Sequence, residues 1–134
     1  MILRRTGADI VLREQAILWT WERLKTPKGF CTFDEWADHV NVVMDQSGYN
    51  ESVLRVYPEG VSVAYFAWQV GQCIHHRGDV FDLGFMVINP SFKDTRSVWM
   101  AILALARLKG CSWIARKQHQ QDGSIKTIYS EVKI

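Results

Sequence analysis

Three groups of residues have the types and spacing that chemistry needs. His75, His76 and Asp79 fall within one short stretch, where imidazole and carboxylate could exchange protons or, with Cys73, begin a metal site. A metal site needs three or four converging donors, which this segment does not display by itself, so a loop between strands is expected and no metal. Asp82 follows in an alternating apolar and polar run. On a strand lining a cleft, burial would raise its pKa and make it a general base; on an outward face it is a solvated side chain. Lys93 and Arg96 sit where a helix is expected to begin and could hold a phosphate or a partner's carboxylate. No nucleophile-elbow sequence supports a Ser-His-Asp arrangement.

The elements that must position these groups can be read in turn. Ile2 to Arg5 reads as a strand, Thr6-Gly7 as a turn, and Ala8 to Lys25 as a helix with Ile10, Ile17, Trp21 and Leu24 on one stripe. Pro27 and Gly29 end it. Thr32-Phe33-Asp34-Glu35 has the form of a capping box, opening a helix over 33–47 with Phe33, Trp36, Val40, Val43 and Met44 on its apolar side and Gly48 as its stop. Strand-like runs follow from Glu51 to Tyr57 and from Val61 to Gln72, split by Pro58-Glu59-Gly60, a hairpin signal. Val61 to Val70 is apolar on both faces, which places it at the centre of a sheet.

Val80 to Ile88 alternates, with Phe81, Leu83, Phe85 and Val87 expected on one face and Asp82, Gly84 and Met86 on the other. Val98 to Lys109 is apolar nearly all round and closed by Gly110, the mark of a buried helix, so a helix near 97–109 is expected. Trp113 to Gln118 and Ile125 to Ile134 read as two strands joined around Gln121-Asp122-Gly123. The order is strand, helix, helix, three strands, helix, two strands: an α/β domain over residues 1–134, large enough for one core.

With 16 basic and 14 acidic side chains the net charge is +2, so no global field argues for nucleic acid as the main partner. Cys31, Cys73 and Cys111 are odd in number and lie in or beside apolar runs, as reduced thiols of a protein made in the cytoplasm would. No leader pattern or membrane-length apolar run is read. Six tryptophans are many for this length; most are expected in the core, with one or two left for a contact patch, since Trp is enriched at interfaces.

The element order resembles the GNAT (N-acetyltransferase-like) fold, a mixed, mostly antiparallel central sheet flanked by about three helices. Ile2-Leu3-Arg4-Arg5-Thr6-Gly7-Ala8-Asp9-Ile10 is similar to the family's opening strand and turn, and Val87-Ile88-Asn89-Pro90-Ser91-Phe92-Lys93 to the end of its fourth strand. In working members that strand enters an acyl-CoA turn, Arg/Gln-x-x-Gly-x-Gly/Ala. The matching stretch here is Lys93-Asp94-Thr95-Arg96-Ser97-Val98, with Arg96 and Val98 at the small-residue positions and Asp94 adding negative charge. The resemblance also implies a fourth helix after the fifth strand, often bearing a general-acid Tyr, but too little chain separates Trp113 from Ile125. Tyr129 is the tyrosine left in that segment.

The resemblance extends to small GNAT-like chains among the virion proteins of short-tailed phages. It implies a non-catalytic structural or assembly protein, made in the cytoplasm and incorporated into a virion, without a cofactor. It would act through contacts with other proteins of the assembly or with itself. Trp19, Tyr49 and Trp113 are the expected interface anchors, because the helical and strand stripes fix them least. The alternative is a divergent acyl-CoA-dependent N-acyltransferase, with acetyl-CoA as cofactor and Asp82 and Tyr129 as candidate catalytic groups.

Overall fold

The apolar run in the middle of the chain forms the centre of the molecule. In the computed structural model, which describes residues 2–24, 29–58 and 60–133, β1 (Ile2–Gly7), α1 (Ile10–Leu24) and α2 (Phe33–Ser47) lead into β2 (Asn50–Tyr57) and β3 (Ser62–Cys73). β4 (His76–Ile88), α3 (Thr95–Leu108), β5 (Trp113–His119) and β6 (Ile125–Glu131) complete the order. The strands form one six-stranded sheet in the order β1-β2-β3-β4-β5-β6. Neighbours are antiparallel except β4 and β5, whose parallel pairing covers only Val80↔Trp113, Phe81↔Ile114 and Asp82↔Ala115. From Leu83 to Ile88, β4 has no strand partner on that side among the described residues. The sheet splays open just beyond Asp82.

Helices cover both faces, which is why β3 is apolar on both sides. Against α3, Leu54, Phe66, Trp68, Phe81, Leu83, Ile114 and Val132 pack on Val98, Ile102, Leu105 and Ala106. On the opposite face Val53, Tyr65, Val87 and Phe85 pack on Ala16, Leu12 and Trp19 of α1. Trp21 of α1 meets Phe33 and Trp36 of α2 through ring contacts near 6 Å.

Several boundaries and faces differ from the sequence expectation. The helix expected from Ala8 begins at Ile10, because Asp9 stays outside it and accepts the Leu12 amide at 2.9 Å. Its expected end at Lys25 and the stop at Pro27 lie outside the described residues, as do Glu59 of the hairpin and Ile134. Thr32 caps α2 by accepting the Glu35 amide at 3.2 Å, and Gly48 ends it at φ 75°. Val43, expected on the apolar stripe of α2, is exposed. α3 starts at Thr95 and is one-sided: Met100 and Leu108 face out, at 55% and 77% exposure.

The alternation expected along β4 breaks at Gly84. Ala67 pairs with Phe85 and Trp68 with Leu83, so Gly84 is an extra residue in the ladder. Before this bulge Phe81 and Leu83 face α3; after it Phe85 and Val87 face α1, while Met86 and Ile88 turn to the α3 side. Binary alternation could not show this, because one inserted residue reverses every side chain that follows.

Candidate functional site

The splay begins beside a closed set of contacts made by Tyr49. Gly48 turns the chain sharply out of α2 and sets Tyr49 at the mouth of β2. The Tyr49 hydroxyl donates to Asp82 Oδ2 at 2.8 Å. The ring lies on Gly84, where a Cβ would come within 2.4 Å of Tyr49 Cζ. Burial, together with the bond to the Asp82 carboxylate, pushes the Tyr49 phenol up to about 12.

Two residues on, Glu51 anchors the same corner. Arg13 of α1, 7% exposed, binds Glu51 through Nε at 2.5 Å and Nη2 at 2.6 Å, and reaches Asp45 of α2 at 2.9 Å and Asn41 at 3.1 Å. The Tyr65 hydroxyl of β3 also donates to Glu51. Burial pushes the Glu51 carboxyl up, but the Arg13 and Tyr65 bonds outweigh it and hold it below the usual carboxylate range. The bidentate pair ties α1, α2, β2 and β3 into one frame under the splay.

At the far end of the unpaired part of β4, the chain enters α3. Asp94 is the N-cap of α3: its carboxylate accepts the Ser97 amide at 3.2 Å and the Ser97 hydroxyl at 2.5 Å. The Ser97 hydroxyl, then the Ser97 amide, lowers the Asp94 pKa. Lys93 Nζ donates to the Pro90 carbonyl at 3.2 Å, while Arg96 and Thr95 are exposed on the first turn. Val98 is fully buried in the core, so its side chain points away from the turn. Of the turn residues singled out in the sequence, Asp94 sits on the helix terminus and Val98 packs in the core. Beside this turn, Trp19, Glu22, Ile88, Phe92, Lys93 and Thr95 line an open groove of about 450 Å³.

A second cavity, of about 190 Å³, lies on the sheet face at the other end of the splay. Gln69, Cys73, Asp82, Lys117, Thr127 and Tyr129 are among its walls. Asp82 and Tyr129 thus share one cavity, on strands separated only by β5, where Ala115 pairs with both. His76 is the first residue of β4, not part of a loop as expected, and its ring stacks on Tyr129 at 4.3 Å and tilts against Trp113 at 4.6 Å. Nδ1 of His76 stands 3.3 Å from Cys73 Sγ. That contact, with the His75 backbone and Tyr129, lowers the Cys73 thiol to about 7.

The three expected anchors fall in different settings. Trp19 is half-buried on the 450 Å³ groove. Trp113 donates its indole N–H to the Arg77 carbonyl at 3.0 Å. Tyr49 is committed to Asp82 and Gly84. Sequence spacing groups Cys73 with His75 and His76 only as a metal possibility; a Cys three residues before a His across a tight hairpin is the signal for the direct contact seen here. Among the described residues, no three His, Cys, Asp or Glu side chains converge as a metal site.

A mostly antiparallel sheet that opens between its fourth and fifth strands, with one helix entering from the end of the fourth, defines the GNAT fold. Solved structures agree. A GNAT family acetyltransferase of Staphylococcus aureus superposes with a TM-score of 0.60 over 100% of this chain and 99% of its own, at 10% identity. An acetyltransferase related to histone acetyltransferase HPA2 from Corynebacterium glutamicum gives 0.59 over 91% and 80%, at 12% identity. A predicted acetyltransferase from Clostridium acetobutylicum, solved with acetyl-CoA, gives 0.56 over 91% and 84%, at 11% identity. No protein-family model matches the chain. In sequence the chain belongs to the family of Protein 7 of Escherichia phage T7, to which it is 38% identical over 132 residues, spanning 95% of this chain and 97% of that protein.

Proposed function

We propose that this chain is a GNAT-fold phage protein that works through protein contacts in an assembly and not through acyl transfer. The observation that carries the reading is the Asp94 carboxylate seated on the first turn of α3, bonded to the Ser97 amide and hydroxyl. The pyrophosphate of an acyl-CoA would meet a like charge where helix amides and the helix dipole otherwise attract it. The Tyr49 ring and hydroxyl also cover β4 at Asp82 and Gly84, where the splay begins. What the scaffold then offers is surface, and the groove beside Trp19 and Phe92 combines aromatic area with the charges of Glu22, Arg23 and Lys93. The phage relative supports a phage particle as the assembly.

One observation favours the second reading, an acyl-CoA-dependent N-acyltransferase: Asp82 and Tyr129 line one cavity. In that reading Asp82 takes the proton of the attacking amine and Tyr129 gives one to the departing thiolate. Calorimetry with acetyl-CoA separates the two. The assembly reading expects no saturable heat; micromolar affinity with turnover of an amine would replace it with the enzyme reading. Sedimentation of an epitope-tagged chain from infected cells gives the complementary result: it is expected with particles, and a chain found only as free monomer would defeat the assembly role.

A further inference from the structure

We propose that Cys73 and His76 form a reactive thiol–imidazole pair that exchanges with small disulfides at the cavity shared with Tyr129. The pair is built, not incidental. Cys73 ends β3 and His76 begins β4, so the hairpin between them holds Sγ and Nδ1 3.3 Å apart. The imidazole cannot turn away freely, because Tyr129 stacks on one side and Trp113 closes in on another. Trp113 is itself fixed by its bond to the Arg77 carbonyl. Cys73 is half-buried and opens on a cavity walled by Gln69, Gln72, Lys117 and Thr127, large enough for a small reactant.

The chemistry needs the thiol–imidazole pair and an incoming disulfide, which is the oxidant. The Cys73 proton passes to His76 Nδ1, and the thiolate attacks one sulfur of a disulfide. The new S–S bond forms as the old one breaks, and the electron pair departs on the released thiolate, which recovers the proton from His76. Cys73 is oxidised to a mixed disulfide and half of the reagent is reduced to a thiol. This displacement develops charge on the departing sulfur and asks for no oxyanion donors. The other cysteines supply the contrast: Cys31 is exposed and, among the described residues, has no imidazole bonded to it, and Cys111 is buried beneath α3. The groups facing Cys73 are His76, the His75 backbone and Tyr129, with Lys117 and Asp82 on the cavity wall.

The test incubates the full chain with glutathione disulfide and follows each cysteine by peptide mass spectrometry. With a thiol near 7 against an ordinary exposed thiol of about 8.5, thiolate fraction and the compensating loss of nucleophilicity give about a threefold rate advantage at pH 7. The same balance gives about sixfold at pH 6. Cys73 is thus expected to outpace Cys31 by a margin that widens as pH falls. His76→Phe replaces the imidazole with a ring that lacks Nδ1, and should cut the margin while far-ultraviolet circular dichroism stays unchanged. The wild-type pH series stands independently should that variant misfold. A Cys73 that reacts no faster than Cys31 at either pH, or a folded His76→Phe chain that keeps the full margin, overturns the proposal.

Discussion

The Tyr49 hydroxyl and the Asp82 carboxylate meet at 2.8 Å beside the point where β4 and β5 part, with the tyrosine ring resting on Gly84. Asp82 is thereby both the candidate base of the fold and the acceptor that holds Tyr49 over the bulge. Tyr49→Phe should keep the ring and lose about 1 kcal/mol of unfolding free energy in urea. The Tyr49 phenol is raised in the folded state, so its contribution is full below its unfolded value of about 10 and is lost as pH rises through about 12. The Phe variant should lack that alkaline loss.

Gly84→Ala tests the same contact from the strand. A Cβ at 2.4 Å from Tyr49 Cζ forces the ring out, and overpacking of this kind costs about 2 kcal/mol. Combining it with Tyr49→Ala should recover part of that cost, so the double variant should lie well short of the sum of the singles.

Glu51→Gln leaves the buried Arg13 guanidinium with Asp45 and Asn41 but without its bidentate carboxylate, and should cost about 2 kcal/mol, read from denaturant midpoints. Because the Glu51 carboxyl is depressed in the folded state, its contribution is present above the unfolded carboxylate value of about 4.3. It disappears as pH falls through the lower folded value. The variant should therefore show a flatter acid limb than the parent.

How far the sequence was legible depends on the range of the interaction. α2 was readable because Thr32, Glu35 and Gly48 act within one or two turns of themselves. β3 was readable because burial on both faces writes itself into composition. The Arg13–Glu51 frame joins residues 38 apart, and such pairs leave no periodicity. Gly84 looked like one more member of an alternating strand, and only the pairing register of β3 shows it to be the inserted residue. At α3 the sequence shows Asp94 and Val98 side by side in one turn, and only the fold separates them: Asp94 caps the terminus, while Val98 serves the core.

Asp94→Ala should free the Ser97 amide and hydroxyl and lower the thermal midpoint by a few degrees, and Asp94→Asn should lower it less. The cap is held by a depressed carboxyl, so its benefit is present above the unfolded value and fades as pH falls through the folded one.

Trp19 and Trp113 should separate contact from fold. Trp19→Ala, on the open groove, should weaken association with an assembly partner by about 2 kcal/mol with the domain intact in calorimetry. Trp113→Ala should instead lower thermal stability, because it removes the bond to Arg77 and the ring against His76.

The parallel junction between β4 and β5 spans three residue pairs, whereas β5 and β6 are paired along their whole length. Cooperative opening follows the weakest seam, and here that seam separates the C-terminal hairpin from the rest of the sheet. Deuterium should therefore enter the amides of β5 and β6 together, earlier than those of β3. Tyr129, which rides on β6 and stacks on His76, would then tie the exposure of the Cys73 thiol to the breathing of that hairpin.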